Sequence, residues 1–283
     1  MTSAAVAEPP PPLCSLLLFL ATSAEEDALE RAAGGLGVEF KKDPELTTSL
    51  RAKGLGDEAW RLGTIGAETV VAVGPSRERG RPVMGAHGRL GSSAKAIRYL
   101  AATGAQGIIQ VGMAFGISSK VQKVGDVLVS ALLSPYDNRA VKPSDKPPGY
   151  VKDYAEMKVE LPRSSLLDRC RREKRRSTFG FEIHIGAMLS GAARIHCAAY
   201  RDELLMNVSH GNEEFVGGEM EGVGLLSGSM KAEDSAWCVV KGICDFADEN
   251  RDKDIVEGRK VAPYHAALFV LSSLVNDAKM LVG

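Results

Sequence analysis

Hydrophobic residues in this chain gather in short runs that are separated by polar, helix-compatible or glycine-rich segments. Apolar runs of this length are typical of buried strands. We predict strands at 16–21, 107–111, 124–130, 182–189 and 237–244, edge strands between 38 and 73, of which 68–73 is the clearest, and a tight turn at 112–116. We predict helices at 25–34, with Ser23 as the N-cap, and at 94–103, 200–208, 219–231 and 262–281. Strands that alternate with helices predict an α/β fold.

The chain is long enough for one large domain, and its pattern does not require two. We assign residues 14–283 to this domain. Residues 1–13 are small, polar and rich in proline, so they are predicted to be a disordered tail. Prolines and a glycine between 143 and 149 interrupt any periodicity. Residues 138–180 are therefore predicted to form an irregular excursion, with a helix near 164–175.

Composition and charge exclude several classes of protein. The formal net charge of -1 argues against a dedicated nucleic-acid binder. The apolar run at 13–21 is too short to span a bilayer, and no Lys or Arg precedes it, which argues against a membrane anchor and a secretory signal. We therefore expect a cytoplasmic protein. The basic run at 169–176 is either a solvated helix face or a surface that binds an anion or a partner.

The five cysteines are odd in number and lack the spacing of zinc or redox motifs. Cys197, Cys238 and Cys244 lie in apolar runs, so they are predicted to be buried thiols in a reducing compartment. The five histidines also lack ligand spacing. We expect neither a metal nor a cofactor.

Two acidic clusters, at 218–222 (GEMEG) and 241–248 (KGICDFAD), carry the most specific chemistry. The first opens a segment of small residues that is predicted to be helical, and the second ends a predicted buried strand. Ligands bind at the carboxyl ends of strands in α/β sheets, so Asp245 is placed to act as a proton donor. Glu221 on a facing helix could bind hydroxyl groups. This pair suits cleavage of a glycosidic bond to a heterocyclic leaving group.

These clusters belong to an ordered series of motifs along the chain. The series comprises GMAFGI at 112–117, VGDV at 124–127, SG at 190–191, EME at 219–221 and GICD at 242–245. Over residues 14–280 the chain resembles the nucleoside phosphorylase / nucleosidase superfamily, in particular purine nucleoside phosphorylases and methylthioadenosine/adenosylhomocysteine nucleosidases. The resemblance implies a single-domain, three-layer α/β/α phosphorylase-type fold with a central mixed, barrel-like sheet. It also implies a purine nucleoside or nucleotide as the small-molecule partner and a homo-oligomer, either a dimer or a hexamer.

The resemblance assigns roles to individual residues of the two acidic clusters. Asp245 matches the acid that protonates purine N7, which improves the base as a leaving group. Glu221 matches the carboxylate that accepts hydrogen bonds from the ribose 2′- and 3′-hydroxyls, and Met220 matches the side chain under the sugar. Glu219 is expected to support this part of the substrate site.

Other parts of the chain match the walls of the same site. Arg194 and Ile195 match the positions that flank the purine, although nucleosidases usually carry an aromatic residue where Arg194 stands. A guanidinium can also stack on a base. Met113 and Phe115 belong to the glycine-rich segment that is expected to line the substrate.

The choice between water and phosphate as the nucleophile depends on residues of two further segments. Glu25 matches a glutamate that activates water in nucleosidases, with Glu26 as the alternative; both could instead be solvent-facing acids of a first helical turn. Phosphorylases hold phosphate with two arginines and a hydroxyl residue. Here the loop at 21–24 lacks arginine, Gln110 replaces the second arginine, and Met113 replaces the hydroxyl residue. We therefore expect hydrolysis, with phosphorolysis and a non-catalytic nucleotide-binding module as alternatives.

A basic, glycine-rich region at 74–93 precedes the second predicted helix. Free N–H groups at a helix start, together with arginines, form an anion site. Arg89 and Ser92 are predicted to contact the 5′ side of the substrate, which favours an adenine nucleotide such as AMP or ATP. The alternative is a set of surface arginines.

Overall fold

The structure is a computed structural model, described here over residues 12–75, 77–78, 81–82, 85–86, 91–155, 158–160, 165–229 and 236–278. The predicted disordered tail lies almost entirely outside the described residues. Arg89 also lies outside them.

Helices and strands alternate through most of the described chain. The helices are α1 (Ser23–Leu36), α2 (Pro44–Ala52), α3 (Ser92–Thr103), α4 (Ser165–Arg176), α5 (Ala198–Asn207), α6 (Gly222–Ser229) and α7 (Arg251–Ala278). The strands are β1 (Leu16–Phe19), β2 (Lys41–Lys42), β3 (Ala59–Ile65), β4 (Glu68–Val73), β5 (Arg77–Glu78), β6 (Arg81–Pro82), β7 (Gly107–Gly116), β8 (Val127–Pro135), β9 (Arg139–Pro143), β10 (Tyr150–Tyr154), β11 (Val159–Glu160), β12 (Ile183–Ser190), β13 (Phe215–Glu219) and β14 (Ala236–Asp245).

The main sheet closes on itself through five of its strands. The pairing runs from β8 through β12, β13, β7 and β14 and returns to β8. Parallel and antiparallel pairs occur in this ring, so the sheet is mixed and barrel-like. From β7 the sheet continues outward through β1, β4, β3 and β2. The predicted α/β fold with a mixed, barrel-like sheet is confirmed.

Continuous apolar runs became central strands because these strands are covered on both faces. All four residues of β1 are buried, and β1 lies between β4 and β7 with parallel pairing on each side. The helix α1 buries a stripe at 28, 29, 32 and 33, which is the spacing of one helical face, and it packs mainly against α7. It begins at the N-cap Thr22 rather than at the predicted cap Ser23, and it ends at Gly37 in the left-handed conformation with φ 67.

The long helix α7 lies unusually close to β14, because a glycine of each element faces the backbone of the other. A Cβ on Gly242 would come within 2.1 Å of the Ala262 carbonyl oxygen, and one on Gly258 within 2.1 Å of the Cys244 carbonyl oxygen. No other side chain fits such a gap without movement. These contacts seat the first turns of α7 beside the end of β14.

Several local predictions were wrong. No tight turn occurs at 112–116, because β7 continues through Gly116. The helix predicted from 219 begins only at Gly222, and Glu219 ends a strand, β13, that was not predicted. The segment 68–73 is not an edge strand, since β4 lies between β1 and β3.

The excursion at 138–180 is more regular than predicted. It contains an antiparallel hairpin of β9 and β10, a short strand β11 paired with β8, and α4. The helix near 164–175 is confirmed. In the basic run, Arg169 and Arg172 bind Asp277, and Arg169 also binds Glu68. Part of this run therefore holds α4 on the body of the protein.

The prediction for Cys197 was also wrong, because this residue is exposed, whereas the other four cysteines are buried. Cys197 is the N-cap of α5 and does not belong to a strand. Within the described part of the chain, no helix has both the length and the apolar character needed to cross a membrane.

Candidate active site

A cavity of about 450 Å³ opens where β7, β13 and β14 end. Its other walls are the start of α1, the loop before α5 and the first turns of α7. This volume is within the usual range for a small-molecule site. The cavity brings together most of the residues predicted from the motifs, namely Glu25, Met113, Phe115, Arg194, Ile195, Glu219, Met220, Glu221 and Asp245.

Asp245 is the last residue of β14 and is 3% exposed. Its Oδ1 accepts a hydrogen bond from the Ala247 N–H at 2.9 Å, in a turn where Ala247 takes the left-handed conformation with φ 52. Its Oδ2 lies 3.1 Å from Cys244 Sγ and 3.4 Å from Arg251 Nε. Burial raises the pKa of Asp245 above its ordinary value, although the hydrogen bonds and the charge of Arg251 oppose this rise. The group can therefore retain a proton closer to neutral pH than an exposed aspartate.

Glu25 enters the cavity from the first turn of α1 and is 3% exposed. Its Oε2 accepts hydrogen bonds from Ala21 N–H at 2.7 Å and Thr22 N–H at 2.8 Å, and its Oε1 accepts one from Met113 N–H at 3.1 Å. A Cβ on Gly112 would lie 2.1 Å from Oε1, so the glycine allows this approach to β7. Glu25 is thus both part of a capping box and a wall of the cavity, and it does not face solvent.

The pKa of Glu25 is also raised, and burial is the largest cause. The charge of Lys241 opposes this rise, and the charge of Glu221 adds to it. A carboxylate with a raised pKa is a stronger base when ionised. Glu26, the alternative predicted base, is half-buried and does not line the cavity.

A second group of charges lies deeper, around Lys241 of β14. Its ammonium group is 2.6 Å from Glu221 Oε2 and 3.0 Å from Glu219 Oε2, and its side chain is 1% exposed. Burial alone would lower the pKa of Lys241, but Glu221 and Glu219 outweigh burial and raise it. Lys241 therefore stays charged and balances part of the negative charge of this group.

Glu221 is held in place from several directions. Its Oε1 accepts a hydrogen bond from Gly85 N–H at 3.1 Å, and its Oε2 is 3.3 Å from Gln110 Nε2 in addition to Lys241. Burial alone would raise the pKa of Glu221, but Lys241 and these donors outweigh it, so the pKa is lowered. Glu221 is thus an ionised acceptor, and Oε1 retains capacity for a hydroxyl donor.

Glu219 has a structural role beside Glu221. Its Oε1 accepts a hydrogen bond from the Ser190 hydroxyl at 2.6 Å, and its Oε2 accepts bonds from the N–H groups of Glu221 at 2.8 Å and Gly222 at 2.7 Å. These bonds fix the turn between β13 and α6. This turn places Met220 and Glu221 in the cavity wall.

The whole structure is similar to that of known nucleosidases. It matches 5′-methylthioadenosine/S-adenosylhomocysteine nucleosidase from Neisseria meningitidis in complex with methylthio-immucillin-A, at 18% identity and a TM-score of 0.67 over 92% of this chain and 98% of that chain. It matches futalosine hydrolase of Helicobacter pylori at 19% identity and a TM-score of 0.68 over 94% and 98% of the two chains. It also matches S-adenosylhomocysteine nucleosidase from Streptococcus pyogenes in complex with 5-methylthiotubericidin, at 16% identity and a TM-score of 0.67 over 92% and 96%.

The chain has the nucleosidase fold. No protein-family model and no curated protein sequence matches it. The fold suggested by the resemblance is therefore confirmed by structure alone, at an identity too low to transfer an activity.

Within this nucleosidase fold, Ser92 does not line the cavity. Its side chain is buried, and its hydroxyl donates a hydrogen bond to the Glu221 carbonyl at 2.5 Å. Gly224 of α6 allows this contact, because a Cβ there would lie 1.9 Å from Ser92 Oγ. Ser92 supports the turn that carries Glu221.

Sequence reasoning missed Lys241 as a member of the site. The signal was available, because a lysine inside an apolar strand must be paired when it is buried. Its partners could not be chosen from the sequence, since Glu219 and Glu221 come from another strand and the turn after it.

Sequence reasoning also missed that α7 forms part of the cavity wall. Arg251, Ile255 and Arg259 line it, and they follow one another at intervals of four residues, which is one helical face. Among the described residues, no three His, Cys, Asp or Glu side chains are grouped in a way that could hold a metal ion.

Proposed function

We propose that the chain is an N-glycosyl hydrolase that cleaves the bond between a purine base and the ribose of a nucleoside or nucleotide. Adenine is the leading candidate for the base. The observation that supports this proposal is the meeting of Asp245, Glu221 and Glu25 in one cavity, from the end of β14, the turn between β13 and α6, and the first turn of α1. The nucleosidase fold of the chain agrees with it.

Asp245 and Glu221 are given different tasks by their surroundings. Asp245, with its raised pKa, holds a proton that it delivers to N7 of the purine. A positioned acid typically accelerates such a step by about 10² to 10⁴-fold. Glu221, ionised beside Lys241, accepts the ribose hydroxyls and stabilises the positive charge that develops on the sugar. Met220 lines the cavity beside it and supplies an apolar surface for the sugar.

Glu25 supplies the base for water. The water oxygen forms a bond to the anomeric carbon while the bond from that carbon to N9 breaks. Glu25 takes the proton of the water, and Asp245 gives its proton to the leaving base. The products are the free base and the sugar, or the sugar phosphate when the substrate is a nucleotide.

Two features favour water over phosphate as the nucleophile. Gln110 stands where phosphorylases carry an arginine, and its amide is directed at Glu221 rather than at the cavity. Glu25 occupies the space next to Gly112, so a phosphate dianion placed there would meet a buried carboxylate. Both features remove favourable contacts for phosphate.

The decisive assay is incubation with adenosine, methylthioadenosine, AMP and ATP, with and without inorganic phosphate, followed by separation of the products. We expect free adenine without added phosphate. An absolute requirement for phosphate, with ribose 1-phosphate as a product, would instead assign the phosphorylase alternative. Binding of these compounds with no turnover under any condition would assign the non-catalytic alternative.

We also propose a homo-oligomer, as the resemblance implies. On one face of the hairpin of β9 and β10 the apolar side chains of Val141 and Tyr150 are 63% and 44% exposed. Exposed apolar side chains on one hairpin are typical of a contact surface. Sedimentation or light scattering of the purified chain would give the mass; a mass of one chain would contradict the proposal.

A cytoplasmic location remains a proposal of the same kind. All five cysteines are free, and four are buried, which fits a reducing compartment. Fractionation of cells that produce the protein would test this location.

A further inference from the structure

The cavity contains more positive charge than the proposed reaction uses. Arg194, Arg251 and Arg259 all line it, and Lys241 is buried behind Glu219 and Glu221. Lys241 is paired with Glu219 and Glu221, and Arg251 is paired with Asp245 and Asp252. Arg194 and Arg259 have no ion pair, hydrogen bond or ring contact with any described residue. These two guanidinium groups are available to a ligand.

The two free arginines lie on different walls. Arg194 belongs to the segment before α5, next to Ile195, on the wall that the proposed function gives to the base. Arg259 belongs to α7 and follows Gly258, which rests on the Cys244 carbonyl. Arg31 of α1 donates a hydrogen bond to the Lys260 carbonyl at 3.3 Å, so α1 and α7 are joined directly beside Arg259.

The wall formed by α1 and α7 has no task in the proposed bond cleavage apart from Glu25. The base lies at Asp245, and the sugar lies over Met220 and Glu221. The 5′ carbon of the sugar must then face one of the remaining walls. The wall between α1 and α7 is the candidate, and it carries Arg259.

The chemistry of this wall suits an anion better than an apolar group. Thr22 and Ser23 line the cavity at the N-terminus of α1, a helix of 14 residues. Their hydroxyl groups can donate hydrogen bonds to phosphate oxygens, and Arg259 supplies the positive charge, since Glu25 already occupies the N–H groups at the start of α1. The apolar residues of this wall are Ile255, between Arg251 and Arg259, and the small residues Ala21 and Ala24.

We infer that Arg259, with Thr22 and Ser23, selects substrates that carry a 5′-phosphate, so that the substrate class is a purine nucleotide. This inference rests on the proposed function and narrows it. An arginine binds phosphate oxygens through two parallel N–H groups, and such charge-assisted bonds are among the stronger contacts in a site.

The experiment compares kcat/KM for AMP and for methylthioadenosine, measured as release of free adenine. We expect the wild-type protein to prefer AMP. Arg259→Ala should lower the ratio of the two values by about tenfold or more, because it removes a charge-assisted contact. Arg259→Lys should retain part of the preference, since the charge remains without the paired N–H groups.

Lys260→Ala is the matched control. Lys260 is the next residue of the same helix, is paired with Glu257 at 3.0 Å, and does not line the cavity. Its removal changes the net charge of the protein as Arg259→Ala does, and it should leave the ratio unchanged. Thermal unfolding of each variant checks that folding is intact, and the exposure of Arg259 makes this the expected result.

Equal cleavage of AMP and methylthioadenosine by the wild type would overturn the inference and leave the proposed function standing. An unchanged ratio in Arg259→Ala would do the same. A strict dependence on added inorganic phosphate, with ribose 1-phosphate as a product, would mean that free phosphate rather than a 5′-phosphate is the anion held. Failure of all these substrates to release a base would overturn the proposed function, and the inference with it.

Discussion

The cavity holds two kinds of buried carboxylate, and the comparison between them explains the proposed division of labour. Glu221 lies deep beside an ammonium group, and its pKa is lowered. Asp245 lies at the end of β14 and Glu25 at the start of α1, and the pKa of each is raised. All three are almost completely buried. Burial alone therefore does not set the protonation state.

The difference comes from the counter-charge. Lys241 is 2.6 Å from Glu221, whereas the nearest cation to Asp245 is Arg251 at 3.4 Å, and the carboxylate of Glu25 is bonded to backbone N–H groups. A close ammonium group more than offsets the loss of hydration, and the weaker contacts do not. Pairs of carboxylates with opposite shifts are typical of sites that separate proton transfer from binding.

Removal of the proton donor should give the largest effect. Asp245→Asn is expected to lower kcat for base release by about 10² to 10⁴-fold, because the amide cannot deliver a proton. KM should change much less. In the wild type, activity should fall as pH rises through the raised pKa of Asp245, and this alkaline limb should disappear in the variant.

The same variant also tests the comparison through stability. A raised pKa means that the native state favours the protonated form, so the contribution of Asp245 to stability is lost as pH rises through that pKa. Asp245→Asn should therefore unfold at the same or a higher temperature than the wild type at alkaline pH. A variant with nearly normal kcat, or with clearly lower stability at alkaline pH, would contradict the assignment.

Removal of the counter-charge should give the next largest effect. Lys241→Met leaves Glu219 and Glu221 without their ammonium partner, at a cost of about 3–5 kcal/mol in the free energy of unfolding. The loss should be greatest at neutral pH. A lowered pKa stabilises the native state above the ordinary glutamate pKa, and this benefit is lost as pH falls through the folded value.

Urea unfolding of Lys241→Met at pH 7 and at acidic pH measures this loss. Lys241→Arg is the control, since it retains the charge in the same strand. Equal destabilisation of the Met variant at both pH values would mean that packing, and not charge, is what Lys241 supplies.

A substitution that disturbs the packing of α7 on β14 should have a moderate effect on stability. Gly258→Val places a side chain against the Cys244 carbonyl, where even a Cβ would be 2.1 Å away. Overpacking of this kind typically costs about 1–3 kcal/mol. Thermal unfolding measures it, with Gly35→Ala in α1 as the control, because nothing lies within 4 Å of a Cβ at Gly35. A Tm for Gly258→Val that equals the wild-type Tm would contradict the close contact.

Replacement of Cys244, the thiol beside Asp245, should have the smallest effect on activity. Cys244 Sγ lies between the Ala114 carbonyl at 3.3 Å and Asp245 Oδ2 at 3.1 Å, and its hydrogen bond stabilises the ionised Asp245. Cys244→Ala should move the alkaline limb of the pH profile to higher pH, and Cys244→Ser should not. The exposed Cys197 gives the control Cys197→Ala, which should match the wild type. Identical limbs in the Ala and Ser variants would exclude this role.

Most of the central strands could be predicted from the sequence, because a strand covered on both faces needs a continuous apolar run. The run at 16–21 became β1, and the run at 237–244 became most of β14. The strand β13 could not be predicted. Its sequence, Phe215 to Glu219, includes two glycines, which disfavour a strand by propensity.

Those glycines are explained only by the closure of the sheet. A Cβ on Gly217 would lie 2.3 Å from the Phe115 carbonyl oxygen, and one on Gly218 would lie 2.3 Å from the Phe115 ring. The strand forms because β12 and β7 bind it on both sides. Tertiary pairing therefore overrides local preference here.

The apolar runs by themselves predicted most of the central strands, and the motifs predicted the acids of the site and the resemblance that implies the fold, since these depend on residue type and on local spacing. They named Asp245, Glu221 and Glu25 before any contact was known. Only the tertiary structure decided which of these acids keeps its charge. The pKa of a buried carboxylate depends on the groups within a few ångströms. Here Lys241 reaches Glu221 from another strand, and Gly112 of β7 allows Glu25 to approach from the start of α1.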